Sequence, residues 1–181
     1  SKFCGSSMDG FLQEFVEISP KRLVKLPNDI DMTVAAFTEI VSVSVHAISR
    51  FDKIAHNRRD TVSVWGDGNL GYITSLFLKY HFPKSKIVVF GTDANKLADF
   101  TFADETHLVN EVPDGFTTDH AFECVGGNGS PIAIDQIIGL LKPERTISIL
   151  GVSEYPVPIN TRMILEKGLR VFGSSRSGVK D

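Results

Sequence analysis

Cysteine is scarce: Cys4 and Cys124 are the only two, and they suggest neither a disulfide framework nor a zinc knuckle. Long apolar runs are missing too, and no stretch approaches the roughly 20 residues needed to span a bilayer. The opening "SKFCGSSMDG" lacks the basic-then-apolar order of a secretory leader. Neither sign of charge dominates, and a net charge of -3 gives no electrostatic case for nucleic acid or an anionic membrane as partner. There is no internal repeat and no low-complexity segment. What remains is an ordinary globular composition, in a chain long enough for one well-buried domain plus a smaller attachment. A cytoplasmic setting is the default expectation. Ser1 and the abrupt ending "SSRSGVKD" suggest a piece of a longer protein.

The chain divides in sequence near residue 60, where "RFDKIAHNRRD" reads as a polar, basic, solvated connector. Before it, "GFLQEFVEI" alternates like a strand and "PKRLVKLPNDI" is turn-rich. "DMTVAAFTEIVSVSVHAIS" then reads as a helix, capped by Asp31 or Thr33. After the connector, strands are predicted at about 61–66, 86–91, 106–109, 119–125, 146–151 and 169–173. Helices are predicted at about 69–81, 94–101 and 129–141, with a short one at about 161–167. Such alternation gives an α/β fold, a doubly wound parallel sheet (Rossmann fold) of strand order 3-2-1-4-5-6. The crossover through "NEVPDGFTTD" looks like loop rather than helix.

The stretch "TVSVWGDGNLGYITSLFLKY" is strand, turn and helix in order, with Gly66, Gly68 and Gly71 spaced G-x-G-x-x-G. A bare match is weak, but this one opens a βα series, and that context points to a dinucleotide site. Gly66 would permit the tight turn, Gly68 the approach of a pyrophosphate, and Gly71 close packing of helix on strand. Asn69 and Leu70 would offer free N–H groups at the helix N-terminus. An NAD site should carry an acid at the end of the next strand. "KIVVFGTDANK" instead has Gly91 there, leaving room for a 2′-phosphate that Thr92 and Lys96 could hold, which favours NADP(H). Asp93 reaching back to serve NAD is the alternative. Val125 and Gly126 in "ECVGG", and Gly151 and Val152 in "ILGVS", close two later strands and should also face the cofactor. Cys124 reads as a buried, unreactive thiol, and His56, His81, His107 and His120 read as structural.

"WGDGNLG", "HAFECVGG", "SILGVS" and "GLRVFGSSRSG" together resemble the medium-chain, zinc-type alcohol and polyol dehydrogenases. "TEIVSVSVHAI" resembles a helix of the sorbitol-dehydrogenase branch. The runs "WGDGNLGYIT", "DHAFECVGG" and "LGVSE" are more similar still to the bacterial ribulose-5-phosphate reductases. The resemblance implies residues 1–58 as the tail of a GroES-like catalytic domain with its linking helix, and residues 59–181 as the Rossmann domain. It implies NADPH-dependent reduction of D-ribulose 5-phosphate to D-ribitol 5-phosphate, feeding CDP-ribitol for teichoic acid or capsule, and hence a partner cytidylyltransferase. It also implies a homodimer. Glu39 matches the glutamate that ligates the catalytic Zn2+ of the polyol branch, and Arg176 matches an arginine that faces substrate. By residue type alone, Glu39 is an ordinary helix acid and Arg176 an exposed loop charge, so both readings stand, and His46, seven residues after Glu39, is either part of a proton relay or a core histidine. The remaining zinc ligands are not in this chain, and residues 1–181 alone are expected to bind nucleotide without turnover. An unphosphorylated polyol as substrate, and a non-catalytic nucleotide-binding domain, are the rivals.

Overall fold

A computed structural model describes residues 4–5 and 8–177, in two compact units, one running to Ala35 and the other starting at Ala36. In the first unit, a 3-10 turn covers Pro20–Arg22 and a single helical turn, α1, covers Met32–Ala35. Asp31 caps α1, its Oδ1 accepting from the Thr33 N–H at 2.6 Å. The strand expected at "GFLQEFVEI" does not form. Alternation alone cannot hold an extended segment whose N–H and C=O groups find no neighbouring strand.

In the second unit, α2 spans Thr38–Ile54, α3 Asn69–His81, α4 Ala94–Leu97, α5 Ser130–Leu140 and α6 Thr161–Lys167. The strands are β1 Thr61–Trp65, β2 Lys86–Gly91, β3 Glu105–Leu108, β4 Thr118–Glu123, β5 Leu141–Ile149 and β6 Arg170–Gly173. They form one parallel sheet in the order β3-β2-β1-β4-β5-β6. This is the doubly wound order the sequence predicts, with loop between β3 and β4 as expected.

Alternation along the strands builds two cores. Val62, Val64, Ile87, Val89 and Phe122 face one way, beneath α2 and α3. Trp65, Val88, Phe90 and Ala121 face the other, beneath the Ala133, Ile134, Ile137 and Ile138 stripe of α5. Burial on both faces is why these strands read as near-continuous apolar runs.

Two sequence expectations shift here. The predicted helix at 31–49 is really two: α1 ends at Ala35, and α2 starts at Thr38 and runs on into the expected connector. Ser44, Ala47, Ile48 and Phe51, at i, i+3, i+4 and i+7, form the buried face of α2. That face rewards continuing the helix beyond the point where polar residues become frequent. The basic connector is also not simply solvated. The Arg59 guanidinium stacks over Phe51 and Phe82, 5.1 and 4.7 Å from their centroids, and pairs with Asp52. Arg50 donates to the Gly173 carbonyl at 2.8 Å and lies over the Phe172 ring. Both cations fasten structure, Arg50 from an exposed position.

Candidate functional site: a dinucleotide cradle at the carboxyl edge

Between β1 and α3 the backbone is crowded to its limit. Gly66 has φ +130°, and a Cβ there would stand 2.9 Å from the Cys124 carbonyl oxygen. A Cβ at Gly71 would lie 1.9 Å from the Gly66 oxygen, so only glycine lets α3 sit this close to the turn. Gly68 is the opposite case, with nothing within 4 Å of where its Cβ would be. It is the N-cap of α3 and gives no side-chain cap. The first N–H groups of a helix, here Asn69, Leu70 and Gly71, have no partner within it and favour an anion.

An open cleft of about 630 Å3 adjoins this helix end, lined by Asp67, Gly68, Asn69, Tyr72, Lys96, Asp99 and Phe100. Three sequence-predicted residues, Gly68, Asn69 and Lys96, therefore meet there. Gly91, buried, and Thr92, exposed, do not line it, and the sequence reading needs revision at this point. The end of β2 is not free of carboxylate. Asp67 reaches across from the glycine turn, and a Cβ at Gly91 would meet Asp67 Cβ at 2.7 Å. Asp67 Oδ2 accepts from the N–H groups of Thr92 (2.7 Å) and Asp93 (2.8 Å), and from Thr92 Oγ1 (3.3 Å). Asp93 is engaged as well, its Oδ1 capping α4 through the N–H groups of Asn95 and Lys96.

A second cluster closes β4 and β5. Glu123 is fully buried. Its Oε1 accepts from the N–H groups of Val125 (3.1 Å) and Gly126 (2.9 Å) and from Ser130 Oγ (3.1 Å). Its Oε2 accepts from the Gly151 N–H at 3.1 Å. One carboxylate thus ties both strand ends together. Gly151 and Gly126 must be glycine: a Cβ on Gly151 would stand 2.3 Å from Gly126 N, and Gly126 has φ +67°. The arrangement leaves Val125 and Val152 exposed at the same edge, at 42% and 85%. Beneath them Cys124 is buried, and burial pushes its thiol up to about 12, so it stays protonated and inert as expected.

Glu39 and Arg176 are exposed, and the fold draws their segments together. Ser42 Oγ donates to the Glu39 carbonyl and bonds Ser177 Oγ, each at 2.6 Å. At the other end of α2, Arg170 donates to the Ile54 carbonyl at 2.6 Å. So α2 runs antiparallel to β6 and starts at the carboxyl edge, the edge that carries the glycine turn. Arg176 has φ +70°, unusual for a residue with a side chain. His46 lies further along α2, half-buried. Among the described residues, no three His, Cys, Asp or Glu side chains converge as a metal site. Glu39 alone does not make a zinc centre.

Sequence reasoning missed Asp67, Tyr72, Phe100 and Glu123. Asp67 stood in an unspecified position of the glycine motif. Glu123 carried a signal, an acid inside the apolar run "HAFECV".

No protein-family model matches the chain. The ribulose-5-phosphate reductase of Bacillus spizizenii is 53% identical to it over 181 residues, covering 100% of this chain and 53% of that one. The sorbitol dehydrogenase of Halalkalibacterium halodurans is 29% identical, over 96% of this chain and 52% of that one. Among solved structures, Staphylococcus aureus TarJ in complex with NADPH superposes with a TM-score of 0.89 at 53% identity, covering 95% of this chain and 54% of that one. The chain thus spans about half the length of the curated relatives it matches. Along that span it is similar to the ribulose-5-phosphate reductases and, more distantly, to a sorbitol dehydrogenase.

Proposed function

We propose that the protein containing this chain reduces D-ribulose 5-phosphate to D-ribitol 5-phosphate with NADPH. The observation that carries this reading is the 53% identity to a ribulose-5-phosphate reductase across all 181 residues. The cradle supports it. Gly68 and the N–H groups of Asn69, Leu70 and Gly71 suit a pyrophosphate. Thr92 and Lys96 serve the adenosine end, with Lys96 donating to the 2′-phosphate there. Val125, Gly126, Gly151 and Val152 offer a flat apolar edge for the nicotinamide ring. In this reading residues 1–58 complete a GroES-like catalytic domain and residues 59–181 hold the cofactor, with α2 as the link packed on the same sheet.

The bound dinucleotide supplies a hydride to the ketone carbon of the substrate, whose oxygen takes up a proton. The chain's own part is orientation. Gly126 and Gly151 bring the ends of β4 and β5 close enough to present Val125 and Val152 side by side. Arg176, following β6 at the same edge, is suited to grip a phosphate or sugar hydroxyls through its forked donors. A zinc ion ligated by Glu39 would need its other ligands from outside residues 1–181. The donors present here do not form such a site, so no step is assigned to it.

The product, a pentitol phosphate, suits a cytidylyltransferase that moves CMP from CTP onto its phosphate with release of pyrophosphate, giving CDP-ribitol for teichoic acid or capsule. A cytoplasmic homodimer completes the proposal. The test is NADPH consumption by the full-length protein across a panel of ribulose 5-phosphate, ribulose, xylulose and sorbitol with NADP. The phosphorylated ketose should lead in kcat/KM by orders of magnitude. A lead by an unphosphorylated polyol would instead support the sorbitol-dehydrogenase reading suggested by the more distant relative.

A further inference from the structure

The turn after β2 is held by a residue from outside it. Asp67, in the middle of the glycine turn, places one carboxylate oxygen on the N–H groups of Thr92 and Asp93 and on the Thr92 hydroxyl. The space it uses exists because residue 91 has no side chain: a Cβ there would lie 2.7 Å from Asp67 Cβ and 2.9 Å from Leu97 Cδ2. Asp67 and Gly91 are therefore two halves of one arrangement. A second carboxylate, Asp93, fixes the start of α4 and with it the backbone of Lys96. Lys96 then has a defined backbone in the cleft that it lines with Asp67, Tyr72 and Phe100.

We infer that Asp67 is a positioning residue for cofactor choice: it clamps the turn at Gly91–Asp93 so that Lys96 meets the group on the ribose 2′ carbon. This rests on the NADPH reading above. The two turn amides and the Thr92 hydroxyl are already occupied by Asp67, so a 2′-phosphate must be held by the Lys96 side chain, whose aim depends on the clamp. The negative charge of Asp67 opposes a phosphate, yet the carboxylate is spent on three donors, and the positional effect is the one that decides selectivity.

The experiment measures dissociation constants of the full-length protein for NADPH and NADH, in wild type, Asp67→Ala and Asp67→Asn. Asp67→Ala is expected to cut the preference for NADPH over NADH by roughly tenfold, the effect of losing about one charge-assisted contact. Asp67→Asn keeps an acceptor oxygen and is expected to restore the preference to within about threefold of wild type. A stability role alone would lower the melting temperature of Asp67→Ala and leave the preference unmoved, which would overturn the inference. An Asn variant that prefers NADPH more strongly than wild type would overturn it too, because charge would then outweigh position. Failure of wild type to bind NADPH would refute the cofactor reading itself; an unaltered preference in a wild type that does bind would refute only the role of Asp67.

Discussion

At Gly71 the helix and the turn beneath it touch backbone to backbone, and a single methyl group has nowhere to go. Gly71→Ala is therefore expected to abolish nucleotide binding and to cost on the order of 3 kcal/mol of stability, since backbone rather than a flexible side chain must yield. Fluorescence titration with NADPH and urea unfolding would check both effects. His120 makes a different kind of expectation. Buried in β4, it donates through Nε2 to the carbonyls of His56 and Arg58, and Nδ1 accepts from the Thr146 N–H. Burial pushes its pKa down from 6.5 to about 4. The folded ring stays neutral where the unfolded one takes a proton, so the stabilisation is complete above pH 6.5 and drains away as pH falls towards 4. This group should remove about 3 kcal/mol in total over that window. Urea unfolding at a series of pH values should show the loss, and His120→Gln should flatten that part of the profile. At this scale the glycines were legible, because their spacing reports a turn that only glycine makes. The acids were not. Spacing names Asp67 as a filler position and cannot say that its carboxylate crosses to the next strand.

Arg59 shows how one side chain can serve an element. It lies between α2 and the end of α3, its guanidinium over Phe51 and Phe82 and its side chain 12% exposed. Arg59→Ala is expected to cost about 1–2 kcal/mol, mostly from lost stacking and packing, because its partner Asp52 is 46% exposed and such pairs contribute little. Chemical denaturation would measure it, and Asp52→Asn should cost clearly less. Among elements, α3 and the strands other than β5 were read within a residue or two, since apolar runs bounded by glycine and proline mark buried parallel strands; β5 starts at Leu141, five residues before the expected start. The helix before them was misplaced at both ends. Its start gives no cap signal at Phe37, where the side chain makes no capping bond, and its end is fixed by packing of Phe51 that polar neighbours conceal. "GFLQEFVEI" had the right period and no partner, and period without pairing is not a strand.

For the molecule as a whole, the sheet order followed from two rules, right-handed crossovers and ligand sites at the carboxyl edge. The same edge gathers the glycine turn, the Glu123 clasp, and the segments of Glu39 and Arg176 tied by Ser42 and Ser177. Ser42→Ala is expected to leave NADPH affinity unchanged while raising KM for the sugar phosphate severalfold, roughly the effect of one lost hydrogen bond. Steady-state kinetics with each substrate varied in turn would separate the two effects. The proposed reaction rests on the resemblance alone, because hydride transfer leaves no pattern of its own in these residues.

The account is tested most directly by following the hydride. NADPH carrying deuterium at the transferable C4 position would be incubated with ribulose 5-phosphate and the full-length protein, and the sugar phosphate analysed by mass spectrometry. Ribitol 5-phosphate bearing one deuterium, on the carbon that was the ketone, is the expected result. Unlabelled product, or no ribitol 5-phosphate from a preparation that binds NADPH, would contradict it.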